Sequence, residues 1–167
     1  MESNRFTQKS MEALQSCQQI AQSYGNAQVE QIHLLCALLT QENGLIGQMM
    51  SKLVVNLHDV QTACMNAVSR LPKISGSNQQ PHISGGVAAV LNQAEAEMKQ
   101  MRDEYVSVEH LFLALLEKAD ATVKPLFSSY SLNKPAFLKA LQEVRGSARV
   151  TSEDPEATYD ALKKYGQ

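Results

Sequence analysis

An internal repeat constrains the fold of this chain more than any other feature of its sequence. A shift of 77 residues places the segment His33–Leu39 over His110–Leu116, and both segments share a histidine, an alanine and flanking leucines. The shift holds without a gap from about residue 6 to 69 and from 83 to 146. A period of this kind indicates two copies of one supersecondary unit that pack against each other.

Each copy carries the signals of four helices. Thr7 and Ser84 are predicted N-caps of the first helices, because a hydroxyl can accept a hydrogen bond from a free first-turn amide. Asn56 and Asn133 are predicted caps of the fourth helices, and Gly25 suits the left-handed conformation that ends a helix. The helices between these caps are predicted at residues 30–41 and 45–53, and at 107–118 and 121–130. The pattern predicts no strand.

The apolar residues are of the kinds that pack between helices. Hydrophobic residues make up 44% of the chain but aromatic residues only 5%, and tryptophan is absent. This composition suits helix packing better than a sandwich of strands. The predicted fold class is therefore all-α, with two tandem four-helix repeats in a pseudo-twofold domain. The two repeats are expected to bury a shared face, because a unit of about 65 residues is marginally stable alone.

Helix breakers and polar stretches divide the chain. Leu71 and Pro72 end the first repeat, and the composition turns polar again after the second. The predicted parts are a first repeat at 1–72, a flexible linker at 73–82, a second repeat at 83–146 and a polar tether at 147–167. Within the tether, Tyr159 to Tyr165 is predicted to begin a short helix.

The net charge and the short length of the apolar runs argue against nucleic acid and membranes as partners. The formal net charge is −2, so no overall basic field attracts nucleic acid or anionic lipid. No apolar run approaches the roughly 20 residues of a transmembrane helix. Cys17, Cys36 and Cys64 lie within helical apolar patterns, where reduced thiols act as small hydrophobic groups. We therefore expect a cytoplasmic protein that binds neither nucleic acid nor membrane.

The sequence contains little that indicates catalysis. It lacks glycine-rich phosphate loops and the CxxC and HExxH motifs. His33 and Cys36 lie on one helix face and are the sharpest candidates for a metal site or a cysteine hydrolase. However, Cys36 aligns with Leu113, which indicates a core position. His33 is then expected to be a partly buried imidazole that is hydrogen-bonded near a helix start, and no catalytic or metal site is predicted.

Acidic residues cluster in the second copy, at Glu95, Glu97, Asp103, Glu104 and Glu109. Glu95 and Glu97 are two residues apart on a helix and therefore do not face each other. A solvated acidic face is the usual meaning of such a cluster. We expect these carboxylates to lie on the surface and not to form a catalytic pair.

Several segments resemble one known family. They are Arg5-Phe6-Thr7 at the first helix, Arg70-Leu71-Pro72-Lys73 before the linker, and Ala161-Leu162-Lys163-Lys164-Tyr165-Gly166 near the end. With the two His-Leu…Ala-Leu-Leu helices, they make the whole chain similar to the N-terminal Clp repeat domain of ClpB-type AAA+ disaggregases. The repeat alone would also fit the ClpA and ClpC families.

The resemblance implies a substrate-recognition domain of an ATP-dependent disaggregase. Such a domain binds exposed hydrophobic segments of unfolded or aggregated proteins and passes them to the pore of its own hexamer. A cooperating chaperone system of the DnaK type is also implied. ATP and Mg²⁺ belong to ATPase modules that this sequence lacks, so no cofactor is expected here. The alternative is an adaptor- or substrate-docking domain of a ClpA- or ClpC-type protease unfoldase.

The resemblance also implies substrate-binding residues. The implied polar residues are Thr7, Asp103 and Glu109, and the implied lining of an apolar groove on the second repeat is Leu91, Val108 and Leu111. Thr7 has a structural explanation as an N-cap, and Glu109 has one as a carboxylate near a helix dipole. Asp103 and Glu104 fall in a predicted loop and are expected to be the least needed for folding. Burial in the core would also explain the three apolar residues.

Overall fold

The structure is a computed structural model that describes residues 5–74 and 80–146. The middle of the predicted linker, the predicted tether at 147–167 and its short helix lie outside the described residues. No helix in the two described stretches is long and apolar enough to cross a membrane.

Eight helices, four in each copy of the repeat, occupy most of the described residues. They are α1 (Gln8–Ser23), α2 (Gln31–Thr40), α3 (Leu45–Lys52), α4 (Leu57–Ser69), α5 (Gly85–Gln100), α6 (Val108–Lys118), α7 (Lys124–Ser129) and α8 (Lys134–Arg145). The 77-residue shift carries α1 onto α5 at both ends, and it carries the starts of α2 and α4 onto those of α6 and α8. The predicted all-α class with two four-helix repeats is confirmed.

The four predicted N-caps are all present. The side chains of Thr7, Asn56, Ser84 and Asn133 each accept a hydrogen bond from the backbone N–H three residues on, at 3.2, 3.0, 3.1 and 2.9 Å. These bonds satisfy first-turn amides that have no partner within the helix. The caps therefore set the start of the first and fourth helices in both copies.

The α7 helix begins later than predicted because a side chain holds the preceding residues in a turn. The Asp120 carboxylate accepts hydrogen bonds from the N–H groups of Thr122 and Val123, at 3.0 and 2.9 Å. This local bonding competes with a helical path. The helix starts at Lys124 instead of residue 121.

Four helices end in the same way at equivalent positions of the two copies. Positive φ angles of 55° to 70° occur just after α1, α3, α5 and α7, at Gly25, Val54, Arg102 and Ser131. After α3, the N–H of Val54 donates to Ser51 O at 3.1 Å, and the next N–H donates to Met50 O at 2.8 Å. This is the bonding pattern of a Schellman C-cap. The glycine predicted after α1 is confirmed, but the other three positions carry a β-carbon.

Two short parallel pairings join the copies, so the expectation of no strand is wrong. Strand β1 (Gln28–Val29) pairs with strand β2 (His82–Ile83). An isolated parallel bridge joins Phe6 to Val106. Two residues are too few to show the alternation by which a strand is read from sequence. The last residue of the predicted linker, His82, therefore lies in a strand.

The two pairings are related by the pseudo-twofold symmetry of the repeat. Val29 lies opposite Ile83. The 77-residue shift aligns Val29 with Val106 and Ile83 with Phe6, and these two counterparts form the isolated bridge. The N–H of Ser84 donates to Val29 O at 3.0 Å. The N–H of Thr7 donates to Val106 O at the same distance. Each copy therefore pairs the segment before its first helix with the loop between the first two helices of the other copy.

The second helix of each copy forms the centre of the core. Every residue of α2 except Thr40 is buried, and α6 is buried from Val108 to Leu115. The two helices also contact each other across the copies. The prediction that these nearly all-apolar helices are the buried centres is confirmed.

Gln31, at the start of α2, ties the first copy to the second. Its side-chain N–H groups donate to Gly86 O at 3.1 Å and Lys118 O at 2.8 Å. Its side-chain carbonyl accepts from the N–H of Asp120 at 2.9 Å. Gln31 itself is buried, and its one side chain satisfies three backbone groups of the second copy.

Candidate functional site

Five of the six residues predicted to bind substrate lie in the interior of the protein. Thr7, Val108, Glu109 and Leu111 have 0% exposure, and Asp103 is 6% exposed. Leu91, on α5, is half-buried and packs against the core. In this conformation Leu91 is therefore the one member of the predicted set with a substantial surface for a client.

Thr7 is the N-cap of α1 and belongs to the contact between the copies. Its Oγ1 accepts from the N–H of Ser10 at 3.2 Å and donates to the Ser10 hydroxyl at 3.0 Å. The Ser10 hydroxyl donates in turn to Val106 O at 2.9 Å. The structural explanation of Thr7 as an N-cap is confirmed.

A buried ionic cluster forms where the end of α8 meets the start of α6. Arg145, the last residue of α8, donates to Asp103 twice, from Nη2 to Oδ1 at 2.7 Å and from Nη1 to Oδ2 at 3.0 Å. Its Nη1 also donates to Oε2 of Glu109 at 3.3 Å. These three side chains are at most 3% exposed. We call Asp103, Glu109, His110 and Arg145 the ionic cluster.

His110 completes the ionic cluster. Its Nδ1 accepts from the N–H of Ser107 at 2.8 Å, so the ring proton is assigned to Nε2, which donates to Asp103 Oδ2 at 2.6 Å. Asp103 thus bonds to both Arg145 and His110. The expectation that Asp103 is among the residues least needed for folding is wrong, because its loss would leave a buried guanidinium without its bidentate partner.

The first copy has the same histidine arrangement without the charges. His33 Nδ1 accepts from the N–H of Glu30 at 2.8 Å, and Nε2 lies 2.8 Å from Oδ1 of Asn26, the counterpart of Asp103. Burial lowers the pKa of His33 from 6.5 to about 4, so the ring is neutral at pH 7. The predicted hydrogen-bonded imidazole is confirmed, although it is fully buried and not partly buried.

The cysteine candidate lacks the surroundings of a nucleophile. A hydrogen bond with Cys64 and burial both raise the pKa of the Cys36 thiol, whereas a nucleophilic cysteine needs a lowered pKa. Both ring nitrogens of His33 have other partners, so His33 is not available to activate Cys36. Over residues 5–74 and 80–146, no group of three or more His, Cys, Asp or Glu side chains is placed to hold a metal ion.

The predicted acidic face is only partly on the surface. Glu95 is half-buried and Glu104 exposed, but the other three carboxylates are buried, at Glu97, Asp103 and Glu109. For Glu97 the reason is a nearby cation, since Nζ of the half-buried Lys134 lies 2.6 Å from Oε2 of Glu97. Burial opposes the charge of Lys134, but its bonds to Glu97 and a second carboxylate raise its pKa overall. The expectation of a solvated acidic face is therefore wrong for three of the five residues.

Val108 and Leu111 do not line a surface groove. Both lie on the central helix α6 and have no exposed surface. The prediction that they line a groove is therefore wrong for this structure, in which they belong to the core. Leu91 differs, and its counterpart in the first copy, Leu14, is also half-buried against the core. The two leucines form a matched pair on equivalent helices.

The surface of the described residues includes two grooves of similar volume. One, of about 370 Å³, runs between α4 and α7 and is lined in part by Leu71, Pro125 and Leu126, with Arg70 beside them. It spans both copies, because α4 belongs to the first and α7 to the second. The other groove, of about 430 Å³, lies between α1 and the loop after α2 and is lined by polar residues. Of the two, the groove between α4 and α7 is the better fit for an apolar segment.

Arg145 is the member of the ionic cluster that sequence reasoning missed. The 77-residue shift aligns Arg145 with Val68 and Glu109 with Ile32, and both of these aliphatic residues are buried. A charge whose counterpart in the repeat is a core aliphatic residue indicates a buried ion pair. When one copy has two such positions and their charges are opposite, the two residues are expected to pair with each other. Glu109 and Arg145 meet this condition in the sequence.

Sequence comparison identifies the family. Residues 5–130 match the model of the Clp repeat (R) N-terminal domain. The chain is 35% identical over 170 residues to chaperone protein ClpB of Bacillus anthracis, a match that covers 100% of this chain and 20% of the relative. The chain thus spans 20% of the length of this curated relative. The resemblance to ClpB is confirmed over the whole chain.

Solved structures share the fold. The Hsp104 N-terminal domain from Candida albicans superposes with a TM-score of 0.79 at 21% identity, covering 89% of this chain and 97% of that domain. A ClpV N-domain in complex with a VipB peptide gives a TM-score of 0.70 at 16% identity, covering 89% of this chain and 91% of that one. The repeat, the fold and the family model agree, and the chain belongs to the Clp repeat N-terminal domain family.

Proposed function

We propose that this chain is the substrate-recognition domain of a ClpB-type protein disaggregase. The observation that carries the proposal is the match to ClpB over the whole chain. In this role the domain binds exposed hydrophobic segments of unfolded or aggregated proteins and passes them to the pore of its hexamer. It works in the cytoplasm with a chaperone system of the DnaK type. The chain acts by binding alone, and ATP and Mg²⁺ bind in separate ATPase modules.

The half-buried Leu91 supplies the proposed contact with the client. An apolar client segment that covers the exposed part of this side chain removes apolar surface from water, which favours binding. The groove between α4 and α7, with Leu71, Pro125 and Leu126 in a lining that is also partly polar, offers a second place of suitable size for an apolar segment. Binding is expected to be weak, because a surface that accepts many sequences is optimised for none.

Peptide binding by this fold has a precedent in the ClpV N-domain, which was solved in complex with a VipB peptide. That structure supports a peptide ligand but not the identity of the client. The relatives that match in sequence are ClpB chaperones, which favours unfolded clients over the adaptor-docking alternative.

The matched leucines provide a controlled test of the proposed contact. In a fluorescence-anisotropy titration with a labelled, permanently unfolded polypeptide, Leu91→Ala should weaken binding by roughly threefold to tenfold, through lost apolar contact. Leu14→Ala removes the same atoms from the equivalent half-buried position, and it should leave the affinity within about twofold of wild type. Equal losses in both variants, or in neither, would show that Leu91 is not the contact. No binding by the wild-type chain would overturn the proposed function itself.

A further inference from the structure

The groove between α4 and α7 combines an apolar wall with an exposed cation. The half-buried Leu71 and Leu126 line it together with the exposed Pro125. Arg70, which directly follows α4, lines the same groove and is exposed. The ion pairs among residues 5–74 and 80–146 do not include Arg70. A segment in this groove would therefore meet apolar surface and a positive charge side by side.

The equivalent place in the other half of the molecule is spanned by an ion pair. The 77-residue shift relates α4 and α7 to α8 and α3, and there Nζ of Lys52 lies 3.9 Å from Oε2 of Glu143. The counterparts of these two residues are Ser129 and Asn66, which are neutral. The groove between α4 and α7 therefore lacks the charged bridge that spans its counterpart.

The predicted tether at 147–167 carries chemistry that complements the groove. Glu156, Tyr159 and Leu162 recur at intervals of three residues, so their side chains would lie along one side of a helix. Further carboxylates lie close by in the sequence, at Glu153, Asp154 and Asp160. The other residues outside the described ranges, 1–4 and 75–79, contain no comparable set. The tether is therefore the segment of this chain that matches the groove in both polarity and charge.

The tether is long enough to reach the groove. Gly146, at the end of α8, is the last described residue, and Tyr159 follows 13 residues later. A chain of this length can span roughly 40 Å, whereas a compact domain of this size has a radius of gyration of ~14 Å. The covalent link also keeps the segment at an effective concentration of millimolar order, so even a weak contact is populated.

We propose that residues 156–162 of the tether bind in the groove between α4 and α7, with Tyr159 and Leu162 against the apolar wall and Glu156 paired with Arg70. Removal of apolar surface from water favours this contact, and the ion pair fixes its register. The docking does not depend on the proposed function. Under that function it has a consequence, because the bound tether and an apolar client segment compete for the same groove.

Paramagnetic NMR on the 167-residue chain tests the docking. A nitroxide label is attached at Gln167→Cys, five residues after the proposed contact. The three native thiols are buried, and burial raises the pKa of Cys17 to about 12, so the label reacts at the introduced cysteine. The label should broaden the amide signals of α4 and α7 around Leu71 and Leu126 more strongly than those of the other described residues.

Substitutions in the tether test the apolar part of the contact. Tyr159→Ser combined with Leu162→Ser should remove roughly nine-tenths of the extra broadening, because two apolar contacts are lost. Val150→Ser is the matched control, since it changes an apolar residue of the tether outside the proposed contact. It should leave the broadening as it is in the wild-type sequence.

Charge reversal tests the ion pair. Arg70→Glu should lower the ratio of docked to free tether by roughly threefold to fivefold. Glu156→Arg, added to Arg70→Glu in the same chain, should restore the broadening, because the two charges are then opposite again. Lys73→Glu is the charge control at an exposed residue that does not line the groove, and it should have no effect.

Each other outcome overturns the proposal. Broadening that is not concentrated on α4 and α7, or that survives the loss of Tyr159 and Leu162, would show that the tether does not occupy the groove. Failure of Glu156→Arg to rescue Arg70→Glu would show that these residues do not pair. Broadening of an isotope-labelled chain by a separate nitroxide-labelled chain would identify a second copy as the occupant.

The remaining outcome concerns a client as the occupant. Groove signals that respond to an added, permanently unfolded polypeptide, but not to the label on the tether, would show that the groove holds a client segment. That result would reject the docking of the tether while supporting the proposed function, so the two can fail separately.

Discussion

At the scale of single residues, Val54 combines backbone strain with solvent exposure. Its φ angle is 58°, a left-handed conformation that is costly for a β-branched side chain. The side chain is 92% exposed, so little packing offsets this cost. The cap after α1 places a glycine in the same role, at Gly25 with a φ of 70°.

Val54→Gly is therefore expected to stabilise the protein. The gain in free energy of unfolding should be roughly 0.5–1 kcal/mol, because relief of strain exceeds the added entropy of the unfolded chain. Urea denaturation of the variant and the wild type measures the difference. The neighbouring Val55→Gly is the control and should destabilise, since Val55 packs against the core without a positive φ. A destabilised Val54→Gly variant would contradict this explanation.

A second residue-scale prediction concerns His33 and pH. Burial lowers its folded pKa from 6.5 to about 4, so between these values the unfolded chain binds more protons than the folded one. The stability contributed by neutral His33 is present above pH 6.5 and is lost as the pH falls towards 4, up to about 3 kcal/mol. In urea denaturation at several pH values, His33→Gln should lose less stability than wild type over this range. Between pH 7.5 and 8.5 the two proteins should differ by a constant amount, and parallel curves down to pH 4 would contradict the assignment.

At the scale of elements, Gln31 connects α2 to the start of α5 and the end of α6 through three backbone partners. Gln31→Met keeps a similar volume but leaves these groups unpaired. The free energy of unfolding should fall by about 2–3 kcal/mol. Gln22→Met, at an exposed position of α1, is the control and should change it by less than about 0.5 kcal/mol. Equal stability of both variants in urea denaturation would show that Gln31 does not join the copies energetically.

The elements that could be predicted from the sequence are those whose signals are local. Caps such as Asn56 and Asn133 lie three residues from the amides they satisfy, and apolar periodicity extends over whole helices. The strand pairing of Val29 with Ile83 escaped prediction, because it joins two-residue segments that are distant in sequence.

The candidate site was less predictable, for a physical reason. A carboxylate is assigned to the surface because burial of an unpaired charge is costly. Asp103 and Glu109 are buried because Arg145 lies opposite them, 42 and 36 residues along the chain. In the sequence, this partner can be inferred only by comparing the two copies position by position.

At the scale of the whole molecule, the two copies share one architecture but differ in chemistry. Their helices, caps and pairings repeat with the 77-residue shift, and each copy pairs backbone with the other at Val29 and Val106. Within residues 5–74 and 80–146, the ionic cluster is found in the second copy and has no counterpart in the first. Under the proposed function, the second copy presents Leu91 to the client, and the equivalent Leu14 of the first copy does not contact it.

Client binding by the second copy is tested most directly by NMR. The isotope-labelled chain is titrated with an unlabelled, permanently unfolded polypeptide, and chemical-shift changes are mapped onto the helices. The account predicts weak binding with changes concentrated on the second copy around Leu91, and with small changes around its counterpart Leu14. Changes confined to the first copy, scattered over the surface, or absent at millimolar client would contradict it.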